Sequence, residues 1–342
     1  MGPKHQIKIV LLFLASIFFV AQGCDPSKGA YTREQSSEVE VAKPVDENEE
    51  YVMVTTFVNF PMYVNHDQAA FLRWGKKMGV KTTVLGPTEW DVVAQIGVIE
   101  QVIPSKPAGL LINGTDPAIA SAIDKAVDAG IPTVVYDSEI PNSKRHAFLG
   151  TDWYEIGQLQ GEALVELIHG KGKIAYMGLV GQTNMENGFR GLLDVVKKYP
   201  GIEVLGKYDS KGSTENAAKI TADLIAANPD LAGVCGFDAI SGPGIGLAIK
   251  EAGKAGKIKV TTVDWEPEHL RLVREGVIDV LIGQKRELFT WYGAQFLYDM
   301  VHKTNQLSAD DQKAGITNVP FAVNTGLLKI TKDNIDLFDP SK

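Results

Sequence analysis

The sequence predicts an α/β protein built of two similar doubly wound lobes, each a parallel sheet with helices on both faces. Three observations carry this. After residue 51, short apolar runs alternate with helix-like segments almost without interruption, which is the signature of successive βα units. The series closes near Thr151 and then starts again. The roughly 290 residues after 51 are also more than one hydrophobic core normally serves.

Taken in order, residues 1–23 read as a signal peptide. Lys4 and Lys8 form a basic stretch, and residues 9–21 an apolar run of 13 residues broken only by Ser16, too short for the ~20 residues of a spanning helix. Gly23 supplies the small residue before a cleavage point, and Cys24 follows it. Residues 24–50 are rich in Ser, Glu, Lys and Pro, cannot bury enough apolar surface to order themselves, and read as a flexible tether. In the first series, strands are expected at 51–58, 81–85, 109–112, 133–136 and 146–149, with helices at 66–78, 92–103 and 117–129, the last stopped by Gly130. In the second, strands are expected at 173–177, 204–208, 233–237, 259–263 and 280–282. Helices alternate with them at 156–169, 187–199, 215–227, 246–252 and 267–275. A further helix is expected at 289–302 and an extended piece at 319–331.

Composition narrows the function. The formal charge is -8, and removing Lys4 and Lys8 with the signal makes it -10, which argues against nucleic acid or an anionic lipid surface as partner. There are two cysteines, so no CxxC metal site exists; Cys235, in an apolar stretch, reads as a buried small hydrophobe. Gly242, Gly244 and Gly246 follow a strand, yet Leu247 stands where a dinucleotide fingerprint needs its last glycine. HExxH, the nucleophile elbow and the phosphate loop are absent and the histidines lack ligand spacing, so neither an enzyme nor a cofactor is expected.

Polar and aromatic residues gather at the expected strand ends, where open parallel sheets bind ligands. After the first strand come Asn59, Phe60, Met62 and Tyr63; after the third, Asn113; after the fourth, Asp137 and Ser138. The second series offers Asn184, Asp238, Asp264, Trp265 and Gln284. Carboxylates and amides interleaved with aromatic faces suit a neutral polyol, whose hydroxyls pair with the former and whose apolar face stacks on the latter. An Asp at a strand end has a competing role as cap of the next helix, as does Asn113.

Four stretches resemble one family: Ile131 to Ser138, Leu149 to Asp152, Asn228 to Leu231, and Val263-Asp264 with Gln284 twenty residues on. They resemble the type I periplasmic solute-binding proteins of sugar ABC transporters, the ribose-binding-protein-like group, over essentially all of 51–338. The resemblance implies a Venus-flytrap receptor with a three-segment hinge, residues 51–150 with 286–317 forming the N-terminal lobe and 151–285 with 318–338 the C-terminal lobe. It implies one monosaccharide in the cleft, held by Asp137 from one lobe and by Asp264 and Gln284 from the other, and an ABC permease as partner to a monomer. The sequence departs from the family pattern in its first loop, where Phe60, Met62 and Tyr63 replace one asparagine and two phenylalanines. Ser138 stands where many relatives carry arginine, and Arg190 is the remaining arginine near Gly188. The signal resembles a bacterial lipobox, which implies a diacylated Cys24 anchoring the protein on the periplasmic or outer side of a membrane. Ordinary cleavage with an unmodified cysteine is the alternative. Presentation of the ligand to a membrane sensor, and binding of a nucleoside or furanosyl signal, remain alternatives for function.

Overall fold

Among the described residues, ten strands in two runs of five, followed by two short ones, make two separate six-stranded sheets. The structure is a computed structural model that describes residues 48–338; the expected signal peptide, Cys24 and the tether up to residue 47 lie outside the described residues. The first run is β1 (Glu50–Val54), β2 (Lys81–Leu85), β3 (Gly109–Gly114), β4 (Thr133–Asp137) and β5 (Ala147–Gly150). The second is β6 (Lys171–Gly178), β7 (Gly201–Asp209), β8 (Leu231–Gly236), β9 (Lys259–Val263) and β10 (Val280–Gln284), with β11 (Ala322–Asn324) and β12 (Leu327–Ile330) closing the chain. The sheet orders are β11-β5-β4-β3-β1-β2 and β12-β10-β9-β8-β6-β7, the same arrangement twice. All pairs are parallel except β12 on β10.

Each sheet is covered on both faces, which is why its strands read as continuous apolar runs. In β1, Tyr51 and Met53 enter one core and Val52 and Val54 the other, as the two-residue alternation of a strand requires. In β6, Ile174 and Tyr176 divide from Ala175 and Met177 in the same way.

The helices are α1 (Ala69–Met78), α2 (Val92–Val102), α3 (Ala120–Asp128), α4 (Trp153–Leu167), α5 (Thr183–Val196), α6 (Thr214–Ala227), α7 (Ser241–Glu251), α8 (Pro267–Arg274) and α9 (Arg286–His302). Their starts follow local chemistry: Asp91, Asp152 and Ser213 each accept hydrogen bonds from the first-turn amides of α2, α4 and α6. The single helix expected over 66–78 is instead a π-helical turn, Tyr63–Gln68, running into α1.

The chain passes between the sheets three times: between β5 and α4, between β10 and α9, and between β11 and β12. Helix α9 returns to the first sheet, burying Phe289, Ala294 and Leu297 in the core that holds Tyr51 and Leu111. Residues 318–338, expected wholly in the second lobe, divide between the two. Ala322 to Asn324 pair in register with Phe148 to Gly150 and fill the open edge beside β5; only from Leu327 does the chain belong to the second sheet.

Helices α4 and α5 pack backbone to backbone. A Cβ on Gly157 would stand 1.9 Å from the Gly188 carbonyl oxygen, and one on Gly191 2.1 Å from that of Tyr154. Gly157→Ala should therefore cost about 3 kcal/mol of stability through overpacking. Gly97→Ala, on α2 with nothing within 4 Å of the new methyl, should gain up to about 1 kcal/mol. Urea unfolding of the two variants checks the contrast.

Candidate functional site

The carboxyl ends of both sheets meet at one cavity of about 290 Å³, the low end of the range for small-molecule sites. Phe57, Phe60 and Tyr63, from the loop after β1, form an aromatic wall, the first two rings stacked 5.5 Å apart and the last two edge to face at 5.2 Å. Trp90 adds a face from the first lobe and Trp153 one from the start of α4. Met185, Leu179 and Ile240 line the second lobe's side, with Gln182, Asn184 and Lys211 as polar groups.

Two buried carboxylates from opposite lobes face this space. Asp137 ends β4 with φ +79° and Asp264 follows β9 with φ +71°, a left-handed conformation that Asp tolerates better than most residues. Each is held by an amide behind it. Asn113 Nδ2 donates to Asp137 Oδ2 at 3.2 Å, and Gln284 Nε2 donates to Asp264 Oδ1 at 3.3 Å. Both are held in turn: Gln95 Nε2 donates to the backbone carbonyl of Asn113 at 2.8 Å, and Thr151 Oγ1 donates to the Gln284 side-chain oxygen at 2.6 Å.

Beside Asp137 lies Arg286, the first residue of α9. Its Nε and Nη2 grip Asp67 at 2.9 and 2.6 Å, and its Nη1 and Nη2 reach Asp137 at 3.1 and 3.2 Å. Burial opposes the cation, but Asp137 and Asp67 hold it well above its ordinary pKa, so it stays charged. Burial pushes Asp264 up to about 6, against the pull of Arg286 and the Gln284 amide. Asp238 is spoken for: it accepts from the amides of Ile240 and Ser241 at 2.9 and 2.6 Å and from Ser210 Oγ at 2.8 Å, capping α7 while its edge reaches the cavity.

Residues 51–305 match the family described as periplasmic binding protein domain. The chain belongs to this family. Its two lobes have the type I periplasmic-binding-protein fold, as in the crystal structure of a sugar-binding protein of a sugar ABC transporter from Bacillus halodurans. That structure is 30% identical with a TM-score of 0.79, the match covering 85% of this chain and 100% of the other. The arabinose-binding protein AraP of Geobacillus stearothermophilus is 31% identical with a TM-score of 0.76, over 85% of this chain and 99% of that one. Among curated proteins, the xylose/arabinose-binding protein XylF of Sulfolobus acidocaldarius is 24% identical over 215 residues, 57% of this chain and 52% of XylF. The chain spans a little over half the length of such curated relatives.

Of the thirteen ligand residues expected in this periplasmic-binding-protein domain, the fold brings Phe60, Met62, Tyr63, Asp137, Ser138, Asn184, Asp238 and Asp264 to the cavity. The other five lie elsewhere. Asn59 is exposed in the turn that Phe60 closes on Phe57. Asn113 and Gln284 stand buried behind the carboxylates rather than on the cavity wall. Arg190 is exposed on α5, its guanidinium 5.2 Å from the Tyr154 ring. Trp265 turns away to pack on His66 at 4.8 Å and Phe338 at 5.5 Å. Trp90 and Trp153, which stand outside those thirteen, both reach the cavity, and Trp153 is a core residue as well. Arg286 was not foreseen. A cation at the first position of a helix runs against the helix dipole, and that misfit was the available signal for acidic partners.

Among the described residues no group of three or more His, Cys, Asp or Glu side chains could hold a metal ion. Cys235 is buried, its thiol pushed up to about 12 by burial, so it is no nucleophile at neutral pH.

The raised pKa of Asp264 makes a pH prediction. Its folded value of about 6 lies above the ordinary 3.8, so the contribution of the neutral carboxyl is present in full below about pH 4 and lost as pH rises through 6. Asp264→Asn should therefore unfold at higher urea than the natural protein at pH 7.5, by about 2–3 kcal/mol, and the difference should close at pH 4.

Proposed function

We propose that this chain is an extracytoplasmic receptor that binds one monosaccharide between its lobes and delivers it to an ABC importer. The observation that carries the reading is the pair Asp137 and Asp264, offered from opposite lobes to one small cavity with an aromatic wall. A ligand that touches both carboxylates makes more contacts when the lobes are closed, so it shifts the population toward closure, and the closed form is what a permease would recognise. The relatives' named ligands, arabinose and xylose, support a pentose or hexose as the guest. Neither sugar hydroxyls nor aromatic stacking calls for a cofactor or a catalytic group. The receptor acts as a monomer tethered through a lipid on Cys24, and Cys24→Ser should move it from the membrane fraction to the soluble one.

Thermal-shift screening against pentoses, hexoses, polyols and nucleosides tests the reading, since a ligand that binds only the native state raises Tm. A sugar should give the largest rise; a nucleoside doing so would replace the sugar reading. Calorimetry on Asp264→Ala should then show at least tenfold weaker binding, because each hydroxyl bond lost to a carboxylate is worth about 1.5–3 kcal/mol. Unchanged affinity would remove Asp264 from the site.

A further inference from the structure

Arg286 lines the cavity, and a buried arginine in a sugar-sized cleft would ordinarily invite an acidic ligand. Its surroundings argue the reverse. A guanidinium has five N–H donors. Four are engaged: Nε and one Nη2 hydrogen by Asp67, the other Nη2 hydrogen and one on Nη1 by Asp137. One Nη1 hydrogen is left for a guest, enough for a hydroxyl and too few for the paired bonds that a carboxylate or phosphate takes from arginine.

The charge is matched as closely as the donors. Asp67 is fully buried, so its carboxylate has no solvent to turn to in place of the guanidinium, and Thr290 Oγ1 donates to its backbone carbonyl at 2.7 Å. Asp137, Asp264 and Asp238 line the cavity, and Lys211 is the other cation on its wall. With Asp67 counted, four carboxyl groups stand against two basic side chains, in a cleft where burial makes like-charge repulsion strong.

We propose that Asp67, though it does not line the cavity, makes the site select uncharged sugars over sugar acids by saturating Arg286. Asp67 is a positioning residue that acts through the guanidinium. This rests on the sugar reading above and adds to it the charge class of the guest.

Two series of sugars separate charge from size: D-xylose, D-glucose and D-glucuronate, which share ring stereochemistry, and L-arabinose, D-galactose and D-galacturonate, which do likewise. Calorimetry on the full-length protein should show, in the series it accepts, the acid at least 100-fold weaker than the neutral hexose. In Asp67→Asn that gap should narrow at least fivefold while the neutral hexose keeps its affinity within about threefold; a merely structural role for Asp67 would weaken all members alike. The proposal is overturned if an acid binds within threefold of its hexose, or if both hexoses are excluded as fully as the acids so that size sets the limit. Equal weakening of all members in Asp67→Asn overturns it too. If that variant does not fold, Asp67→Ser takes its place, with the same expected and overturning ratios. Absence of binding by all six, with no sugar raising Tm in the wider thermal-shift screen, would instead bring down the sugar reading itself.

Discussion

A single guanidinium ties the ligand cavity to the frame of the first lobe. Arg286 enters at the second passage between the sheets, as the first residue of α9, and joins the π-helical turn through Asp67 to the end of β4 through Asp137. Removing either carboxylate would leave buried charge poorly paired, which costs far more than the net worth of an intact pair. The arrangement therefore fixes the position of α9, the left-handed turn at Asp137 and the electrostatics of the cavity together.

The two lobes solve the same problem with related parts. Both carry a carboxylate at or just past the end of a central strand, both place it at positive φ, and both brace it with a carboxamide from a neighbouring strand. Where they differ is the cation: the first lobe's carboxylate has Arg286, while the second's has the Gln284 amide and a more distant charge, and burial lifts Asp264 accordingly. Left-handed aspartates and half-compensated carboxylates are unfavourable in themselves, and they persist because the cores on both faces of each sheet hold the strand ends in place.

Much of this was legible in the sequence because it depends on local rules. Alternating apolar runs marked the strands, and the position of Asp137 and Asp264 just beyond such runs placed them at the cavity before any contact was known. Asn113 and Gln284 were found by the same rule, but the rule cannot tell whether a side chain at a strand end points forward to a ligand or sideways to its neighbour; both point sideways. Trp265 shows a related limit. It follows Asp264 directly, and the turn that aims the carboxylate into the cavity sends the next side chain the other way, onto His66 and Phe338. Arg286 and Asp67 lie 219 positions apart, and no pattern within a single window reports such a pair.

Cavity chemistry is also wired to the passages between the lobes. Thr151, at the first passage, donates to Gln284, at the second, and Gln284 holds Asp264, so two hinge strands and one ligand-facing carboxylate form one chain of bonds. Beside it, His66 of the first lobe sits 3.0 Å from Glu266 of the second and 2.7 Å from Glu287 at the start of α9. Burial disfavours the imidazolium there, yet the two carboxylates push its pKa up to about 9, so the bridge is ionic at neutral pH. Tyr63 and Asp264 on the cavity wall lie within three residues of His66 and Glu266. The cavity wall and this bridge between the lobes therefore share the same two short backbone segments, 63–66 and 264–266.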